Sequence, residues 1–136
     1  MVKPLCKDTN FLSKKSLPAG KGDAYVGEDL LDTLSFHKGR CVGMAANMIG
    51  VNKRIIAIDM GFANVLMFNP RILSKKKEYL TKEGCLSLEG ERPCRRYQEI
   101  EVEYMDASFA KKKGRYSGFI AEIIEHEVDH LDGIII

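Results

Sequence analysis

Tryptophan is absent from the 136 residues, and proline and cysteine are scarce, with four of each. The cysteines, Cys6, Cys41, Cys85 and Cys94, show no C-x-x-C spacing. In a chain of this size that argues against a disulfide framework and fits reduced thiols in a cytosol. No apolar run approaches the ~20 residues needed to span a bilayer, and the N-terminus carries neither a basic-then-apolar leader nor an Arg-rich transit pattern. An excess of either charge is also missing: 21 basic residues face 19 acidic ones, a net of +2. The basic clusters Lys75–Lys77, Arg95–Arg96 and Lys111–Lys113 have no aromatics alternating through them, so they read as solvated loops and turn tips. No membrane or nucleic-acid partner is expected. Repeats, low-complexity tracts and linkers are lacking, and the length suits a single domain, 1–136, with its own core.

What is present is His126-Glu127-Val128-Asp129-His130. Two histidines four apart on a helix share a face, about 6 Å apart along the axis, so both can reach one metal ion beside a glutamate acting as general base. Projected at about 100° per residue, Phe119, Ile120, Ala121, Ile123, Ile124, Val128 and Leu131 form an apolar arc. Glu122, Glu125 and Asp129 oppose it, and Glu127 falls inside it. A carboxylate sits on the buried side only where something there requires it. A surface helix with two solvated histidines accounts for the spacing but not for Glu127.

A hydrolytic metal site needs a third protein ligand and one open position. Only Leu131 to Ile136 follow His130, and the third histidine of the longer H-E-x-x-H-x-x-G-x-x-H pattern would fall on Ile136. The third ligand is therefore sought upstream, among His37 and the four cysteines. His37 closes a predicted helix, where its charge suits the dipole.

Cys85 stands in Glu83-Gly84-Cys85-Leu86-Ser87. E-G-C-L-S followed by H-E-x-D-H resembles the peptide deformylase family. Cys41-Val42-Gly43-Met44-Ala45-Ala46-Asn47-Met48 is similar to that family's first block, G-φ-G-φ-A-A-x-Q, and the likeness covers most of residues 11–133. The resemblance implies that Cys85, His126 and His130 hold one divalent ion, Fe(II) in the cell, with Zn, Ni or Co able to replace it. It implies Glu127 as general base, the backbone N–H of Leu86 contacting the formyl oxygen and the Gly43 backbone helping to align the peptide. Val42, Phe119 and Ile123 would line the pocket for the first side chain, although core packing explains those three equally well. The implied substrate is an N-formylmethionyl peptide emerging from the ribosome, which the enzyme would meet transiently. Glu83 reads either as support for the metal site or as a surface carboxylate.

The first block departs from the family at Cys41, usually glycine, and at Met48, usually glutamine. A thioether cannot donate the hydrogen bond that the glutamine amide gives the oxyanion, and losing one such donor costs on the order of 10²–10³ in rate. Glu122 stands where the family is usually aliphatic. Three readings follow: a slow or divergent deformylase, a non-catalytic protein binding metal or formyl peptides, and an unrelated small metalloprotease. Intact E-G-C-L-S weighs against the third. The family often continues into a further C-terminal segment, here not seen after Ile136.

The remaining pattern predicts an α+β fold: antiparallel strands around the C-terminal metal helix, plus one N-terminal helix. Residues 1–22 read as an irregular arm and 23–38 as a helix. Residues 41–48, 54–59, 65–69 and 99–104 read as strands or extended segments. A further strand pair is expected around a Lys75–Lys77 tip, and a turn at 111–114.

Overall fold

In the computed structural model, which describes residues 1–85 and 88–135, the N-terminal arm carries helix α1, Thr9–Leu12. The Asp8 carboxylate caps it, accepting the Asn10 N–H at 3.0 Å. The arm is tied down rather than loose. The Cys6 N–H donates to Met48 O at 2.7 Å and the Ser16 N–H to Leu131 O at 2.8 Å. A 3-10 turn, Lys21–Asp23, leads into α2, Ala24–Phe36, whose Val26, Leu30 and Leu34 are buried at helical spacing.

Five strands follow as an antiparallel meander in chain order: β1 Gly43–Ala45, β2 Ile55–Asp59, β3 Asn64–Cys85, β4 Leu88–Met105 and β5 Lys111–Ser117. Both α2 and the last helix, α3 (Gly118–Leu131), pack on β2. That is why Ile55-Ile56-Ala57-Ile58 is buried without alternation. On β4, by contrast, Ile100 and Val102 are buried, while Glu99, Glu101 and Glu103 alternate with them outside the core.

Three expectations are corrected here. Lys75–Lys77 is no tip but lies within β3, and Lys111–Gly114 is strand, not turn. The cause is cross-strand charge pairing: Lys76 stands opposite Glu99, Lys113 opposite Glu103 and Arg115 opposite Glu101. The actual turn lies between Met105 and Lys111, where the Asp106 carboxylate accepts the N–H groups of Ser108 (2.9 Å) and Ala110 (3.0 Å). Residues 41–48 are extended only at β1. Ala46–Ile49 forms a 3-10 turn, so Asn47 and Met48 do not alternate across a sheet.

Helix α3 ends in a Schellman arrangement. The Gly133 N–H donates to His130 O and the Ile134 N–H to Asp129 O, both at 3.0 Å. Gly133 has φ +78°, and a Cβ there would lie 2.3 Å from Ser13 O, so only glycine lets the helix stop against the arm. Both faces of α3 differ from the helical projection. Glu125, assigned to the outer face, is buried because β4 covers it, and its carboxylate accepts the Tyr97 N–H at 3.0 Å. Phe119, assigned to the apolar arc, is 62% exposed in the first turn.

Candidate metal centre

Residues two apart on a strand share a face, so Glu83 and Cys85, at the end of β3, both turn toward α3. The ligand atoms of Cys85, His126 and His130 lie within 4.8 Å of one another. The imidazole Nε2 atoms of the two histidines face each other at 3.0 Å. Tetrahedral metal–nitrogen bonds of ~2.0–2.1 Å separate two nitrogens by roughly 3.3 Å, so the spacing fits a shared ion. One thiol and two imidazoles also form a donor set suited to a borderline transition metal.

The histidines are held from behind. His126 Nδ1 lies 2.7 Å from Glu83 Oε1, the carboxylate–imidazole contact that fixes ring orientation in metal sites. Glu83 in turn accepts from Arg96 Nη2 at 2.6 Å and from Nε at 3.0 Å, and Arg96 Nη1 donates to Asp129 at 2.7 Å. Burial opposes ionisation of Glu83, but its bonds to His126 and Arg96 outweigh it and hold the carboxyl well below the usual range. Asn47 Nδ2 donates to the His130 carbonyl at 2.8 Å, joining the 3-10 turn to the last turn of α3.

Burial lowers the basicity of both imidazoles. For His126, contact with Cys85 and the charges of Glu127 and Glu83 overcome it and push the ring up to about 10. His130, buried beside His126, goes down to about 3.

Glu127 is 4% exposed, and its Oε1 has no partner among the described residues. Burial pushes this carboxyl up to about 7. Gly43 lies directly against it: a Cβ at Gly43 would sit 2.9 Å from Glu127 Oε2 and 2.6 Å from Ile123 Cγ2. The Cys41 thiol donates to Gly43 O at 2.8 Å, and burial together with the Glu127 charge raises it to about 12, so it stays protonated. Met48 is buried, its sulfur accepting the Ala45 N–H at 3.4 Å.

These groups border a cavity of about 620 Å³, lined by Val42, Gly43, Met48, Cys85, Phe119, Glu122, Ile123, His126 and Glu127 among others. His130 stands behind this wall. Of the residues named from sequence, Leu86 lies outside the described residues, and His37, at the C-cap of α2, is not part of the site; Val42, Gly43, Met48, Cys85, Phe119, Ile123, His126, Glu127 and His130 converge here. The four cysteines are free. Arg96, read as part of a solvated pair, is buried instead, and Asn47 was not foreseen as a tie to His130. The alternation of β4 was the one available signal for Arg96, because it places Arg96 in phase with Ile100 and Val102.

The profile of the family described as polypeptide deformylase matches residues 5–136. The peptide deformylase of Clostridium beijerinckii is 54% identical over 136 residues, covering all of both chains. That of Dictyoglomus thermophilum is 38% identical over 130 residues, 93% of this chain and 84% of the relative. The crystal structure of the Thermotoga maritima peptide deformylase superposes with a TM-score of 0.89 at 26% identity, over 99% of this chain and 95% of that one. The class I type b enzyme of Acinetobacter baumannii with Met-Ala-Ser bound gives 0.88 at 28% identity, over 99% and 97%.

Proposed function

The chain belongs to the peptide deformylase family, hydrolases that remove an N-formyl group, and from that premise we propose that it releases formate from N-formylmethionyl peptides as one catalytic domain, 1–136. The observation that carries this is the convergence of Cys85, His126 and His130 donor atoms within 4.8 Å beside a buried Glu127, whose Oε1 has no partner among the described residues, on a cavity wall.

Cys85, His126 and His130 would hold the divalent ion, Fe(II) in the cell. When bound, it would polarise the formyl carbonyl and acidify water. Glu127 accepts a proton from the attacking water at Oε1 and returns it to the leaving nitrogen, a role its raised carboxyl suits. Glu83, clamped by Arg96, keeps the His126 ring in place. Gly43 leaves the space in which Glu127 and the substrate backbone meet. Val42, Phe119 and Ile123, which line the cavity, would receive the first side chain. Leu86 contributes its N–H by motif match alone. Met48 offers no oxyanion donor, and this favours a second reading, binding without turnover.

No described helix is long and apolar enough to cross a membrane, and we place the activity in the bacterial cytoplasm with transient contact at the ribosome. Formate release from formyl-Met-Ala-Ser by Fe(II)-loaded protein tests the proposal. Tight binding of that peptide with no formate supports the second reading.

A further inference from the structure

Three of the cavity's walls, Val42, Phe119 and Ile123, are hydrocarbon, but Glu122 brings a carboxyl to the same cavity. It stands one turn before His126 on α3 and is half-buried. Tyr79, behind it on β3, donates its hydroxyl to Glu122 Oε1 at 3.3 Å, and the Glu122 carboxyl also lies against that of Glu83. A wholly aliphatic pocket selects by length and shape and separates substrates differing by one methylene only weakly. A pocket that places a hydrogen-bonding group against the ligand selects by the terminal atoms, because an unmatched buried polar group costs far more.

We propose that Glu122, beside Tyr79, Val42, Phe119 and Ile123, is a specificity-determining residue that extends the pocket's range from methionine to unbranched first side chains ending in a hydrogen-bond donor. Glutamine has almost the length of methionine and ends in an amide whose N–H groups match a carboxyl acceptor. N-formyl peptides beginning with glutamine are therefore accepted alongside methionine. Norleucine, the pure hydrocarbon of methionine's length, ends like methionine in a methyl group and offers that carboxyl no donor, so it serves as the apolar reference. The inference rests on the cavity being the substrate site.

The test compares formyl-Met-Ala-Ser, formyl-Gln-Ala-Ser and formyl-norleucyl-Ala-Ser as substrates of the metal-loaded wild type and of Glu122→Leu. Glu122→Ile is the second variant should leucine disturb the fold. In the wild type, kcat/KM for the glutamine peptide should lie within about tenfold of that for methionine. In the variant the glutamine-to-methionine ratio should fall at least about tenfold, while the norleucine-to-methionine ratio, which compares two side chains without a donor, should stay within a few-fold. An unchanged glutamine-to-methionine ratio overturns the inference. Calorimetric binding of the three deformylated tripeptides reads the pocket without turnover. If no peptide is hydrolysed but the binding ratios shift as stated, the proposed activity fails and the role of Glu122 stands. If no tripeptide binds, both fail.

Discussion

Replacing Met48 by glutamine should raise turnover sharply. The Met48 sulfur accepts the Ala45 N–H at 3.4 Å, as the third residue of the 3-10 turn reaching back to its N-cap. Glutamine is an ordinary residue for that reciprocal contact and is close to methionine in length and shape. Its Oε1 would take over the Ala45 N–H, leaving the NH₂ to point into the cavity that Glu127 and Cys85 also line. One oxyanion donor is worth about 10²–10³ in kcat, or ~2.7–4 kcal/mol. The gain should appear in kcat with KM nearly constant, because such a bond strengthens mainly in the transition state. Initial rates of formate release, taken at equal metal content for both proteins, read this directly. An unchanged kcat in a folded, metal-loaded variant would refute the reasoning. It would mean that another group already supports the oxyanion, or that the cavity does not carry out this step.

Arg96 and Glu83 form a buried ion pair, so Arg96→Ala should lower stability by about 3–5 kcal/mol and weaken metal binding in a chelator competition. Loss of neither would show that the pair is dispensable. Gly43→Ala places a methyl against Ile123 and Glu127; kcat/KM should drop about 10²-fold while circular dichroism stays unchanged. Glu125 is buried with its carboxyl raised from 4.5 to about 7, chiefly by burial. A carboxyl raised in the folded state favours folding while protonated. This contribution is complete below pH ~4.5 and is lost as pH rises through ~7. Glu125→Gln should therefore be more stable than wild type at pH 8, by at most about 3 kcal/mol, with the difference vanishing near pH 4. Denaturant melts at the two pH values decide it, and a constant difference would exclude Glu125 as the titrating group.

Helix α3 was legible because its spacing carries two signals at once, an apolar stripe and a carboxylate lying inside it. Helix α2 and the antiparallel strands were legible from periodicity in the same way. The long β3–β4 hairpin was not. Three consecutive lysines look like a loop until the facing strand is known to carry glutamates in register. Glu125 and Arg96 escaped for a related reason: their burial depends on β4 crossing the outer face of α3, and no single-helix projection contains that strand. The metal cluster was reachable through the Cys85 motif, whereas the Asn47 tie to His130 spans 83 residues and left no local mark.

The most direct test of the whole account measures bound metal and released formate together, in wild type and in Glu127→Gln. One divalent ion per chain should be held by both proteins, since Glu127 is not among the three donors. Wild type should convert formyl-Met-Ala-Ser to formate and free amine in equal amounts. Glu127→Gln, which keeps the shape but loses the proton acceptor, should be slower by about 10²–10⁴. Metal-loaded wild type that yields no formate, or a Glu127→Gln variant that works as fast, would contradict it.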